Sequence, residues 1–349
     1  MEKLKWTNSD IRKLFHMGDR FKSIQTLYNA EERGEIPKAD RIARGKVSTR
    51  VWDISQLPEI GKKYGFLPLP TQQQVICKYI PKGGVAKTST SYNEARTFAL
   101  NGMKTLIVGL DSELSITDIQ MPHEEPARLD DIESPLGLYH FFCEGASFEE
   151  IKRETILPTL DIIPETHDLS LLEKWIDREK RREYIFRDKL LPALSEYDVI
   201  IFDNCPYWSH LVTNSIVCST AIVIPLGCNL LAFNSSSSNI SNIFDFQEEM
   251  QLTEQKTLMF STMLERSSLS QQINATYLST YSDFIMSTPI RKSVKWEEAL
   301  LNQQTILEYA PTSQQAEEYF YLISEVWDRM NQVSKTSHES IDTILEIEA

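Results

Sequence analysis

Residues 74–90 read QVICKYIPKGGVAKTST, and the fold follows from how these seventeen residues divide. QVICKYI is a short β-rich apolar run, and the segment from Lys87 through NEARTFAL has the composition of a helix. Between them, Gly83 and Gly84 let backbone N–H groups turn towards an anion, to which the following helix adds its positive end. That makes a phosphate cradle running from Lys82 through Gly83, Gly84, Val85, Ala86, Lys87 and Thr88 to Ser89. Lys87 is placed to neutralise β- and γ-phosphates, Thr88 offers a hydroxyl to Mg²⁺, and Ser89 is within reach of an α-phosphate. Read strictly, the ordinary G-x-x-x-x-G-K-[ST] pattern fails, because Pro81 and Ala86 stand where its two glycines belong.

Outward from this segment, strands and helices alternate. KTLIVGLD is a second apolar strand ending on an acid, DIIP a third, YDVIIFDNCP a fourth and AIVIPLG a fifth, each separated by helix-length stretches. Apolar strands alternating with helices imply a mostly parallel sheet with helices on both faces, the α/β class. Asp111 and Asp203 then fall at carboxyl ends of parallel strands, where open α/β sheets bind their ligands.

The chain has 349 residues, long for one core, and two domains are expected: 1–70 and 71–349, with LPLPTQQQ near 67–74 as a linker. The net charge of −14 is unevenly spread. Residues 1–70 hold 14 Lys/Arg against 9 Asp/Glu, so the front is basic and the remainder carries the acid. Phosphate attraction is local, so a basic module on an acidic body can still contact nucleic acid. Five scattered cysteines with no C-x-x-C pair read as buried thiols rather than metal ligands. No apolar run has the length of a membrane span, which points to a cytoplasmic protein without a membrane partner.

Within the front, Thr7, Asn8 and Ser9 are cap candidates for a helix carrying Ile11, Leu14 and Phe15. Gly18 breaks the pattern, and Phe21, Ile24, Leu27 and Tyr28 resume it as a second helix ending at Gly34. ADRIARGKVSTRVWD suits a hairpin wing around Gly45, followed by a short helix in ISQLPEIGKKYG. On this layout Arg20, Lys22, Ser23 and Gln25 start the groove-reading helix, and Arg41, Arg44 and Arg50 on the wing face phosphates. A basic helical dimerisation arm is the alternative.

The remnant K-G-G-x-x-K-T, with Lys82 ahead of the glycines, resembles the deviant Walker A motif of the ParA and MinD family, and Ala86 resembles the larger SopA-like plasmid members. The resemblance covers nearly all of residues 75–325, and GEIPKADR and RVW are similar to the MerR-like winged-helix modules that precede such ATPases. It implies an α/β P-loop sheet preceded by a small winged helix-turn-helix domain, with ATP/ADP and Mg²⁺ as cofactors. It further implies that Lys82 reaches the partner's nucleotide across a sandwich homodimer, that Asp111 orients the attacking water, and that Asp203 is the Walker B acid. Basic residues near Arg291, Lys292 and Lys295 are implied in binding DNA without sequence preference. A ParB-like partner, autorepression through the front domain and a nucleoid-associated role in plasmid or chromosome partition complete the implied picture. One departure stands out: where the family commonly has D-x-D-P-Q, this chain has Gly109, Asp111, Ser112 and Glu113, so slow hydrolysis is expected. The other reading is a nucleotide-sensing transcriptional repressor without cargo. The C-terminal SHESIDTILEIEA is acidic, unlike the basic amphipathic helix of a MinD-like membrane ATPase.

Overall fold

The computed structural model describes residues 4–44, 47–111, 115–120 and 135–332. The front begins with β1 (Lys5–Thr7), α1 (Asn8–Leu14), α2 (Met17–Arg20) and α3 (Thr26–Glu32), then β2 (Asp40–Arg44), β3 (Val47–Asp53) and α4 (Leu57–Tyr64). Thr7 caps α1 through a box in which Thr7 N donates to Asp10 Oδ2 at 3.0 Å and Asp10 N to Thr7 Oγ1 at 3.3 Å. β2 and β3 form the expected antiparallel hairpin, Asp40 opposite Val51 and Arg44 opposite Val47, and β1 adds a third strand on the far side of β3.

The body follows with β4 (Gln74–Lys78), α5 (Lys87–Leu100), β5 (Thr105–Leu110), α6 (Ser115–Gln120), α7 (Phe148–Ile151), β6 (Arg153–Glu154), β7 (Leu160–Ile163) and α8 (Leu169–Ile176). Then come β8 (Val199–Asn204), α9 (His210–Cys218), β9 (Ala221–Gly227), α10 (Leu230–Glu249), β10 (Lys256–Thr262), α11 (Ser268–Thr280), α12 (Val294–Leu301), α13 (Ile306–Tyr309) and α14 (Gln314–Asn331). The sheet runs β10-β9-β4-β8-β5-β7-β6, parallel throughout except for the β6–β7 edge pair. Every residue of β4, β5, β7, β8 and β9 is buried, as a sheet covered on both faces requires. The five expected strands are all present, and β10 is a sixth parallel strand that the sequence pattern did not single out.

One expectation about the front needs correcting. The second helix is not continuous from Phe21: α2 occupies the supposed break at Gly18, residues 21–25 are irregular, and α3 begins only at Thr26. Residues 67–74, the expected linker, are fastened along the body. Leu67 N donates to Asn101 Oδ1 at 3.1 Å, Trp327 Nε1 to Pro68 O at 2.9 Å, and Gln73 Nε2 to Leu194 O and Tyr197 O at 2.8 and 2.9 Å.

Front and body share one continuous apolar cluster, in which Trp6, Ile11, Leu57 and Ile60 are buried together with Tyr92, Phe98, Tyr319 and Trp327. α4 lies directly on the end of α5: a β-carbon at Gly61 would sit 1.8 Å from Leu100 O, so only glycine permits this approach. The His16 ring stacks on Phe320 at 3.7 Å between centroids, joining α14 to the turn after α1.

Candidate functional site

The phosphate loop emerges from β4, between β9 and β8, and leads into α5. Gly84 has φ +71° and Ala86 φ +63°, so both lie in the left-handed region. Ala86 stands where the ordinary motif has glycine, and a β-carbon in this conformation costs about 1–2 kcal/mol, strain of the kind concentrated at functional loops. Neighbours hold the conformation: Thr262 Oγ1 on β10 donates to Val85 O at 3.1 Å and Thr90 Oγ1 to Ala86 O at 2.8 Å. A β-carbon at Gly83 or Gly84 would meet no atom within 4 Å, so the glycine pair faces open space.

Lys87, mostly buried at the first position of α5, donates from Nζ to Lys82 O at 2.6 Å, which sets its charge against the loop. Thr88 Oγ1 donates to Asp203 Oδ2 at 2.8 Å, and Ser91 Oγ to Asp203 Oδ1 at 2.6 Å. Asp203 is fully buried on β8, and Gly109 on β5 is its register partner, which brings the end of β5 and Asp111 alongside. Burial pushes the Asp203 carboxyl up to about 6, while the two hydroxyls and the Lys87 charge oppose the shift and the Asp111 charge adds to it. Lys82, Lys87, Thr88, Asp111 and Asp203 are thus brought to one end of the sheet, and Ser89 lies on the first turn of α5. Ser112 and Glu113 lie outside the described residues.

Open space over two glycines, the free end of a 14-residue helix, a lysine and an adjacent hydroxyl–carboxylate pair fit a Mg²⁺-bound nucleotide phosphate chain. Among the described residues no group of three or more His, Cys, Asp or Glu could hold a metal ion, so Mg²⁺ here would draw most ligands from phosphate and water.

Sequence reasoning missed two members of this neighbourhood. Ser91 follows Thr88 by three residues, one helical turn, and that spacing alone places a second hydroxyl on the face that meets Asp203. Glu165 follows β7 as Asp111 follows β5, so the strand-end rule that singled out Asp111 and Asp203 applies to it equally.

The more distant candidates separate into engaged and available groups. Arg20 does not start a reading helix. Its guanidinium donates to Phe15 O, Tyr64 O and Gly65 O at 2.8, 2.7 and 2.7 Å and so staples α2 to the end of α4. Arg50 on β3 pairs with Glu31 and Glu32, each at 3.2 Å, and lies over the Tyr28 ring, which takes it off the wing's outer face. Lys22, Ser23 and Gln25 are exposed in the irregular stretch before α3, and Arg41 is exposed on β2. The Arg44 side chain and the wing turn at Gly45 lie outside the described residues. Ahead of α12, Arg291 pairs with the buried Glu318 and Lys292 with Glu265 at 2.8 Å, while Lys295 is half-buried.

A family model described as an AAA domain, AAA_31, matches residues 73–259, more than half of the chain. Two relatives span most of the body. The sporulation initiation inhibitor protein Soj of Bacillus subtilis is 27% identical over 246 residues, covering 70% of this chain and 94% of its own. The chromosome partitioning protein ParA of Myxococcus xanthus is 26% identical over 266 residues, 74% of this chain and 89% of its own. Among solved structures, McdA of Cyanothece in complex with ATP superposes with a TM-score of 0.63 at 17% identity over 76% of this chain and 99% of its own. A structure described as a partition protein reaches a TM-score of 0.65 at 15% identity over 94% of this chain and 92% of its own. The strained phosphate loop, the acids at the ends of β5 and β8 and the parallel sheet that joins them agree with these matches: the chain shares the fold of these solved structures and belongs to the AAA_31 family of AAA domains.

Proposed function

We propose that the chain is an ATP-dependent DNA partition ATPase that closes into a nucleotide-sandwich dimer, binds DNA without sequence preference in its ATP form and reopens on hydrolysis. The observation that carries this reading is the loop itself, with Lys82 ahead of the glycines, Lys87 behind them, and Asp203 hydrogen-bonded to Thr88 beside them. When bound, Mg²⁺–ATP supplies the transferable γ-phosphoryl group and neutralises its charge. The residues for it are Gly83, Gly84, Val85, Ala86, Lys87, Thr88 and Ser89 on the phosphates, and Thr88, Asp111 and Asp203 on the metal side. Asp111 orients water at the end of β5, and Lys82 turns outward to the partner subunit's nucleotide. Two copies joined in this way double the basic contacts to DNA, and affinity rises steeply with each phosphate neutralised.

A ParB-like partner stimulates hydrolysis in this scheme, and the front module, 1–70, represses the operon. The available candidates for that module are Lys22, Ser23, Gln25 and Arg41, with Arg44 on the same hairpin. Soj and ParA relatives support the partition role, and the 94% coverage of the partition protein structure supports treating front and body as one inherited unit.

Equilibrium binding to a random-sequence duplex with ATP, ADP or no nucleotide, across a salt series, tests the reading. Tight, salt-sensitive binding is expected with ATP alone and is expected to vanish in Lys82→Ala. In Lys292→Ala and Lys295→Ala the slope of log affinity against log salt should fall by about 1 for each phosphate that is no longer neutralised. Binding indifferent to nucleotide would overturn the transport role and favour an operator-specific repressor.

Asp203 supplies a prediction that does not involve DNA. Its folded pKa, near 6, exceeds the ordinary 3.8, so the unfolded chain gives up this proton first and the group favours folding only while protonated. Without Mg²⁺, stability relative to Asp203→Asn should therefore fall as pH rises from about 4 through 6, by on the order of 3 kcal/mol. Saturating Mg²⁺–ATP should offset the loss. Thermal midpoints across pH for both proteins check this, and parallel curves would contradict it.

A further inference from the structure

Glu165, two residues beyond β7, is 1% exposed and contacts two elements at once. On one side it accepts from the first turn of α6: Ile116 N donates to Oε1 at 3.2 Å, and Thr117 N and Thr117 Oγ1 donate to Oε2 at 2.8 and 2.7 Å. Glu165 N donates back to Thr117 Oγ1 at 2.9 Å, so the two residues are tied reciprocally. On the other side it fills the space next to Gly109 on β5, where a β-carbon would lie 2.2 Å from Glu165 Cγ and 2.4 Å from Cδ. Gly109 stands two residues before Asp111 and opposite Asp203. The bare backbone on β5 and the buried carboxylate from β7 are therefore one arrangement: the carboxylate enters only because position 109 is glycine.

We propose that Glu165 is a positioning residue for the hydrolytic site: wedged against β5 at Gly109 and bonded to α6 at Ile116 and Thr117, it sets where that helix starts relative to the strand that leads into Asp111. The proposal rests on the reading of Asp111 given above. Glu165 is not catalytic. It reaches the chemistry through the strand and helix on either side of Asp111.

Glu165→Gln keeps the volume and sets an amide donor against N–H donors, since an amide offers only one accepting oxygen. The test combines three measurements on the full chain: hydrogen exchange at the Ile116 and Thr117 amides, the Kd of a fluorescent ATP analogue, and steady-state turnover. Exchange at one of the two amides, the one left facing the new NH₂ group, is expected to rise at least tenfold and kcat to fall about 10–100-fold, with analogue Kd within threefold of wild type. Thr117→Val removes two of the bonds and leaves the carboxylate in place; the same pattern at smaller size is expected, and it decides the matter if the glutamine variant does not fold. Unchanged exchange at 116 and 117 would overturn the clamp. Equal losses of analogue affinity and turnover would also overturn it, because a merely structural residue gives that result. If the wild type shows no turnover, the hydrolytic reading fails, and the exchange measurement separately decides whether Glu165 holds α6.

Discussion

Glu308→Ala is expected to lower the free energy of unfolding by about 3–5 kcal/mol, the cost of leaving a buried charge without its partner. Glu308 accepts two bonds from Arg96, Nε to Oε2 at 2.7 Å and Nη2 to Oε1 at 2.9 Å, in a pair whose side chains are 1% and 0% exposed. Its carboxylate also accepts Thr305 N at 2.8 Å and closes the capping box of α13, so alanine removes a cap as well as a counter-ion. Arg96 lies on α5, behind the phosphate loop, and is buried, so water cannot replace the lost carboxylate at its guanidinium. Urea unfolding of the single variant should show a lower midpoint. Arg96→Met combined with Glu308→Leu should cost less than Glu308→Ala alone, since replacing both charges leaves no buried guanidinium deprived of its carboxylate. A loss below about 1 kcal/mol in Glu308→Ala would mean that water relieves the arginine.

In Lys87→Ala, ATP turnover is expected to fall about 10²–10³-fold, the usual effect of removing one preorganised group aimed at developing charge. Lys87 is fixed by its place at the start of α5 and by its bond to Lys82 O, so little reorganisation stands between its resting position and a phosphate oxygen. Lys82 should behave differently. In Lys82→Ala analogue binding by the single subunit should survive while dimer formation is lost, whereas Lys87→Ala should weaken both. Sedimentation with and without ATP, run beside single-turnover hydrolysis, separates the two lysines. Turnover within threefold of wild type in Lys87→Ala would remove this lysine from the chemistry.

The sheet was legible because its strands are locally complete. LIVGLD and VIIFD are apolar up to a final acid, so their nature and the position of the site can be read without tertiary knowledge. β10 was missed because its apolar centre is only Leu258, Met259 and Phe260, with polar residues on both sides that the sheet buries by pairing along the whole of β9. The Arg96–Glu308 pair spans 212 residues and leaves no local signal. In the front, the hairpin, the first helix and the helix after the hairpin were readable from turns and periodicity, but the bounds of the second helix and the roles given to Arg20 and Arg50 were not, since a guanidinium on the surface and one bonded to carbonyls or carboxylates have the same sequence signature. The role of Glu165, as distinct from its place at a strand end, was hidden for a related reason. Its meaning depends on the empty side of Gly109, and the absence of a side chain carries no message until its neighbour across the sheet is known.

α5 has 14 residues and is therefore a rod about 21 Å long. Lys87 heads it at the phosphate loop, and Leu100 ends it with a carbonyl pressed against Gly61. A tilt of 5° at the loop end would carry the far end about 2 Å, and a close-packed contact has no play to absorb such a throw. The front module thus rides on the nucleotide helix as a load rides on a lever arm.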